Sequence, residues 1–253
     1  LGDTPAIHMP ELSLTRQLSY RTLSFNALEG RINQLCRGFE NSGIVKGTRV
    51  ALMVPPSIDF VAATYALFRV GAIPIMIDPG MGLKNLKACI DEAEPSVFIG
   101  IPKAQIARNI LGWRRGKLKL VLTAGKQLYP FQKTLDSISH DQSKETFSWT
   151  TEDYDLAAIL FTSGSTGLPK GVIYRHRNFH AQLSALKELY NIEPGEIDLS
   201  TFPLFALFGP ALGMTAIIPE MNFTKPGSVD PKKIFGPIEK FNVTNLFGSP
   251  ALI

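Results

Sequence analysis

Leu156-Ala157-Ala158-Ile159-Leu160-Phe161 runs directly into Thr162-Ser163-Gly164-Ser165-Thr166-Gly167-Leu168-Pro169-Lys170-Gly171, and then into Val172-Ile173-Tyr174. A short apolar run bounded by loop residues reads as a buried strand. The glycines let backbone N–H groups converge on one anionic group, a concavity suited to phosphate. Thr162, Ser163, Ser165 and Thr166 add hydroxyls that can follow the oxygens of a polyphosphate, and Lys170 supplies a point charge at the end of the loop. Because the loop follows a buried strand, it is expected at the carboxyl edge of a parallel sheet, where ligands bind in open α/β folds. The bland alternative is a flexible Ser/Gly linker, and tight apolar strands on both sides argue against it.

Spacing excludes two other phosphate loops. Counted from Gly164, Lys170 sits at the Walker A offset, but Pro169 occupies the second glycine position. Gly171 stands where a Mg²⁺-binding Ser or Thr is needed. Gly164 and Gly167 do not give the G-x-G-x-x-G of a dinucleotide fingerprint either. A kinase or P-loop ATPase is disfavoured.

Upstream of the loop, helix and strand alternate. Phe25, Leu28, Ile32, Leu35 and Phe39 line one helical face, with Ser24 as its cap and Gly43 as its end. Strand 49–54, helix 57–70, strand 73–77 stopped by Asp78-Pro79-Gly80, helix 83–93, strand 97–101, helix 104–111 and strand 118–123 follow. Such alternation predicts parallel strands with crossover helices. The polar stretch 125–154 lacks periodicity and reads as a loop-rich seam between two subdomains. Downstream, 178–190 is expected to be helical and 199–202 extended. Asp230-Pro231 opens a helix whose Ile234, Phe235, Ile238 and Phe241 share a face, and 243–247 is a final strand.

Composition narrows the function. The 253 residues are 45% hydrophobic and 19% charged, the balance of a folded globular chain. Net charge is +4, and its tight basic cluster, Arg114, Arg115, Lys117 and Lys119, lacks a platform of aromatics, so nucleic-acid binding is not supported. No apolar run is long enough for a transmembrane segment. Cys36 and Cys89, far apart in helical patterns, read as buried thiols of a reducing, cytoplasmic compartment rather than metal ligands. Leu1 and the apolar run ending at Ile253 suggest a piece of a longer polypeptide.

The loop 162–171 resembles the signature loop of the adenylate-forming superfamily, which includes acyl-CoA synthetases, luciferases and peptide-synthetase adenylation domains. The resemblance extends over most of the chain, through 23–43, 49–56 and 71–79. It implies an α/β fold of layered sheets with parallel β-α units, the family's large N-terminal domain. On that reading 1–253 is a fragment of that domain, with a first α/β subdomain at 24–124 and a second at 155–253. It implies ATP, with Mg²⁺ travelling on it, and places the β- and γ-phosphates against Thr162, Ser163, Gly164, Ser165, Thr166, Gly167 and Lys170. The adenine-binding motif, the ribose-binding aspartate, the hinge, the catalytic lysine and the small C-terminal domain are expected beyond Ile253. No catalytic residue is therefore assigned within this fragment, which is expected to be inactive by itself.

Pro203-Leu204-Phe205-Ala206-Leu207-Phe208-Gly209 resembles the family's Pro-Leu-Phe-His motif, with Ala206 at the histidine position. The exchange either makes the site more apolar or is incidental. Thr201–Met221, Tyr174-Arg175-His176-Arg177 and Leu246-Phe247-Gly248-Ser249-Pro250-Ala251-Leu252 are most similar to the olefin-biosynthesis β-lactone synthetases and long-chain fatty-acyl-CoA ligases. That resemblance implies an acyl pocket at Phe205, Ala206, Phe208, Gly248, Ser249 and Pro250, although the aromatic density suits an ordinary core as well. It implies activation of a long-chain 2-alkyl-3-hydroxy acid and then lactone closure. Thioester formation with CoA, acyl-AMP transfer and a non-catalytic nucleotide- or acyl-binding role remain alternatives. Thiolase-like and α/β-hydrolase partner enzymes are implied by the subgroup alone. His176 reads either as a structural residue opening a helix or as a base.

Overall fold

In the computed structural model, residues 13–17, 115, 128, 140–145, 149–150, 163–168 and 253 lie outside the described residues, as do the side chains of Leu12 and Thr162. The first half runs β1 (Pro5–Leu12), β2 (Leu18–Ser24), α1 (Phe25–Asn41), β3 (Arg49–Met53), α2 (Ile58–Arg69), β4 (Ile73–Ile77), α3 (Leu83–Ala93), β5 (Val97–Gly100), α4 (Pro102–Leu111) and β6 (Leu120–Thr123). The second runs α5 (Leu135–Ile138), β7 (Leu156–Thr162), β8 (Lys170–Arg175), α6 (His176–Tyr190), β9 (Ile197–Ser200), α7 (Phe205–Ala211), β10 (Thr215–Ile217), α8 (Lys232–Phe241) and β11 (Asn245–Phe247).

The chain divides into two compact units, one made of 1–29, 55–61 and 180–253 and the other of 30–54 and 62–179. The stretch 125–154, read from sequence as the seam, falls within the latter. That unit holds a six-stranded sheet in the order β6-β5-β3-β4-β7-β8. All its neighbours pair in parallel except β7 with β8. Ala51, Ile75, Phe98, Ile159 and Phe161 from its strands pack with Leu86, Cys89 and Ile90 of α3 in one buried cluster. The near-continuous apolar strands, rather than alternating ones, are what a parallel sheet covered on both faces requires.

The unit of 1–29, 55–61 and 180–253 holds a five-stranded sheet in the order β11-β9-β10-β1-β2. β11, β9, β10 and β1 are parallel, and β1 and β2 form an antiparallel pair. Leu199 and Ile217 meet Ile234 of α8 in its core. The pairing of β1 with β10 joins Ile7 to Ala216 across most of the sequence, so no local pattern announces it.

Local signals set most element ends. Ser24 Oγ accepts from Ala27 N at 3.2 Å, the N-cap its position suggests, and Gly43 leaves α1 at φ +81°. Asp78 Oδ1 accepts from Gly80 N at 2.8 Å and turns the chain out of β4. Two expectations change. The stretch 125–154 contains α5, opened by a reciprocal Thr134–Ser137 capping box. Phe235 is 61% exposed, whereas Ile234, Ile238 and Phe241 pack inward. Those three are spaced 4 and 3 along one helical stripe, and Phe235 falls beside it.

Candidate active site

The phosphate loop is suspended between two paired strands. β7 lies beside β4 in parallel, with Ile75 opposite Ile159 and Ile77 opposite Phe161. β8 returns antiparallel, with Thr162 opposite Lys170, so the chain leaves and re-enters the sheet at one register position. Thr162 therefore sits at the carboxyl end of a parallel strand, where the sequence placed it. Gly171 faces Phe161 across the pair, and a Cβ there would come within 3.1 Å of the Phe161 ring. That packing accounts for a glycine where a Walker loop would need a hydroxyl. Ser163, Gly164, Ser165, Thr166 and Gly167 lie outside the described residues. Lys170 is exposed at the start of β8.

The residues ahead of β7 hold its entry in place. Asp155 Oδ2 accepts from Lys46 Nζ at 2.6 Å and from Glu152 N at 2.8 Å. The Lys46 ammonium and the backbone N–H together hold the Asp155 carboxyl below its usual range. At the far end of β8, the Arg175 guanidinium donates to the Tyr154 carbonyl, and Arg177 lies over the Tyr154 ring at 4.7 Å. His176 is the first residue of α6; it is buried and stands edge-on to Phe68 at 5.6 Å. The basic cluster is partly tied down, for Arg114 lies 3.6 Å from Glu94.

Of the expected acyl residues, Phe205 and Phe208 meet each other on α7, against Phe247 of β11. Phe205 stacks on Phe247 with centroids 4.0 Å apart and planes 8° from parallel. Phe208 meets Phe205 edge-on at 5.6 Å, and Phe202 stands edge-on to both Phe205 and Phe247 at 6.4 Å. The edge-on contacts are the T-shaped arrangement that ring quadrupoles favour. Ala206 is 0% exposed, its methyl packed inside rather than set on an open surface. Gly248, Ser249 and Pro250 follow β11, and Ser249 Oγ is buried without a hydrogen-bond partner among the described residues. The Thr201 hydroxyl donates to the Phe247 carbonyl, fixing the residue on which Phe205 stacks.

Sequence reading missed two features here. Phe247 carries no signal of its own in sequence, because its stacking partner Phe205 is distant along the chain. Asp198 on β9 is 3% exposed, and its carboxylate accepts from Ser200 Oγ at 2.6 Å. Burial pushes that carboxyl up to about 6, and the Ser200 hydroxyl opposes the rise. The only available signal was an acid flanked by Ile197 and Leu199 in a strand whose neighbours are β11 and β10. Alternation would have sent it to solvent, but this inner strand is covered on both faces.

Among the described residues, no helix is long and apolar enough to cross a membrane. The fold has many solved counterparts. A long-chain-fatty-acid-CoA ligase from Archaeoglobus fulgidus superposes with a TM-score of 0.78 at 21% identity, over 96% of this chain and 47% of that one. An acyl-CoA synthetase from Brucella canis does so with a TM-score of 0.78 at 20% identity, over 99% and 45%. Similarity in sequence is stronger elsewhere. An olefin beta-lactone synthetase of Xanthomonas campestris pv. campestris is 45% identical over 234 residues, which is 92% of this chain and 42% of that protein. That of Stenotrophomonas maltophilia is 46% identical over 233 residues, again 92% and 42%. The chain thus spans less than half the length of these relatives. A family model described as AMP-binding enzyme matches residues 2–253, and with the loop on β7–β8 and the largely parallel sheet of each unit this places the chain in the AMP-binding, adenylate-forming family of AMP-forming ligases.

Proposed function

We propose that the protein containing this chain activates a long-chain 2-alkyl-3-hydroxy acid as its acyl-adenylate and then closes a β-lactone. The observation that carries this reading is the 45–46% identity to two olefin beta-lactone synthetases over 92% of the chain. The residues fit ATP: glycines and hydroxyls in the loop 162–167 and the exposed Lys170 form a donor set for a polyphosphate. Mg²⁺ enters this reading bound to the phosphates.

Attack of a carboxylate on the α-phosphate brings two anions together. The loop and Lys170 oppose that repulsion by neutralising and orienting the leaving pyrophosphate. In the second half, the substrate's 3-hydroxyl oxygen bonds to the acyl carbon, the acyl–phosphate bond breaks, and AMP leaves while the hydroxyl proton is lost. Phe202, Phe205, Phe208 and Phe247 supply apolar surface for the alkyl chain, with Ala206, Gly248, Ser249 and Pro250 beside them in sequence. His176, buried at the head of α6, holds a structural place in this scheme rather than that of a base. A cytoplasmic enzyme working beside thiolase-like and α/β-hydrolase partner enzymes completes the reading.

The test uses the full-length protein with Mg-ATP and a long-chain 2-alkyl-3-hydroxy acid, with and without CoA, and mass spectrometry of the products. A β-lactone plus AMP without CoA is expected. A CoA thioester from simple fatty acids, with no lactone, would move the protein to the acyl-CoA ligases and make Ala206 incidental.

A further inference from the structure

The loop after β6 presents an arrangement that neither the fold nor the adenylation chemistry requires. It is closed at its base, where Thr123 N donates to the Lys133 carbonyl at 3.0 Å and Thr123 bridges Thr134. At its tip Tyr129-Pro130-Phe131-Gln132 forms a turn, with Gln132 N donating to the Tyr129 carbonyl at 3.3 Å. Proline holds the second position and Phe131 the third, at φ +64°. A turn with Pro second and positive φ third ordinarily takes glycine or asparagine in that third place. A bulky side chain there is strained, and the strain calls for an explanation in function. Phe131 also gains nothing from burial, being 100% exposed, and Tyr129 is 55% exposed.

Charge on the loop points one way. Residues 124–133 contain Lys126 and Lys133 and no acid. Both lysines are exposed, and neither pairs with a carboxylate among the described residues. Two aromatic side chains on one turn, flanked by two cations, match the boundary between anionic headgroups and acyl chains. Aromatic rings settle at that boundary while lysines reach the phosphates. A protein partner is a poorer match, because a specific interface needs roughly 800 Å² on each side and one turn offers far less.

We infer that the 124–133 loop is a peripheral anchor, inserting Phe131 and Tyr129 shallowly into an anionic lipid surface with Lys126 and Lys133 on the headgroups. The inference stands apart from the choice of acyl acceptor, since it uses no residue of the proposed active site.

The experiment is co-sedimentation of the full-length protein with vesicles of phosphatidylglycerol and phosphatidylethanolamine, and with vesicles of phosphatidylcholine alone. Binding is expected to the anionic vesicles and to weaken as salt rises. Phe131→Gly is the informative variant, because glycine accepts the positive φ without strain. It is expected to leave the unfolding midpoint unchanged or raised while vesicle partitioning falls about tenfold or more. Lys126→Gln with Lys133→Gln is expected to weaken binding and flatten its salt dependence. Equal vesicle binding by wild type and Phe131→Gly would overturn the inference, as would wild type ignoring both kinds of vesicle. Self-association abolished by Phe131→Gly, with no vesicle binding, would assign the tip to a second copy of the chain instead.

Discussion

Between β7 and β8 the chain supplies its hydroxyls, glycines and lysine consecutively, in 162–171. Around α7 it gathers Phe205, Phe208 and Phe247 from two elements separated by β10 and α8, with Phe202 from the connection ahead of α7. The loop hangs from a strand pair fixed by its own ladder, with the Phe161 ring lying across Gly171. The α7 face has no such separation, because the rings that would meet an alkyl chain are the rings that hold α7 to β11. Substitution in the first region should therefore damage chemistry and spare the fold. Substitution in the second should be read in both currencies.

The sharpest break of this contrast is Lys170→Ala. Lys170 is exposed, so its loss should leave the unfolding midpoint of the full-length protein within a degree or two. Removing a positioned charge from a polyphosphate site costs on the order of 10²–10³ in rate, and ATP–pyrophosphate exchange should fall by that factor. A variant that exchanges pyrophosphate normally would take Lys170 out of the proposed site. A variant that unfolds would erase the distinction between the two regions.

How far each region is legible in sequence follows from the same difference. The β7–loop–β8 turn is contiguous, so its strand, its loop chemistry and its failure as a Walker loop can all be read from neighbouring residues. The parallel helix–strand rhythm from Phe25 to Thr123 is legible for a similar reason, since each strand pairs with another in the same unit and each helix shows its own stripe. The β9–α7–β11 face is only partly legible. Phe205 and Phe208 stand out in their motif, but Phe247 acquires meaning only by stacking, and β1 and β10 are too distant in sequence for either to announce the other. Asp198 is the extreme case, because period-2 reasoning assigns it to water and the covered sheet encloses it.

Asp198 gives the next largest effect, and it acts on the aromatic side of the comparison. Its carboxyl titrates near 6 in the fold and at 3.8 when unperturbed. The folded state thus holds the proton more tightly than the unfolded chain does. Stability from this group is complete below about pH 4, declines as pH rises toward 6, and is flat above that. The gap of about two pKa units corresponds to roughly 3 kcal/mol at neutral pH. Asp198→Asn keeps an acceptor for Ser200 and removes the charge. Urea unfolding should show the variant more stable than wild type at pH 7.5, by up to about 3 kcal/mol, and equal to it near pH 4. Destabilisation at both pH values would mean that the carboxylate is paired with a group it does not meet among the described residues.

Phe247→Ala carries the smallest effect and separates the two halves of the α7 face. Phe247 is still 46% exposed while its ring stacks on Phe205 at 4.0 Å, so one side is packed and the other is open to an occupant. Half-burial limits the stability cost to about 1–2 kcal/mol. If the open side meets the alkyl chain, as proposed, removing the ring withdraws contact from that chain and leaves the carboxylate end alone. KM for a long-chain acid should then rise about tenfold with kcat little changed, the signature of binding lost equally from ground and transition states. For a short-chain acid that cannot reach the ring, KM should stay within about twofold of wild type. Equal rises for both acids would make Phe247 a support for α7 and nothing more. The even weight the sequence allows between acyl surface and ordinary core would then resolve toward core, and the apolar exchange at Ala206 would need an explanation other than a long alkyl substrate.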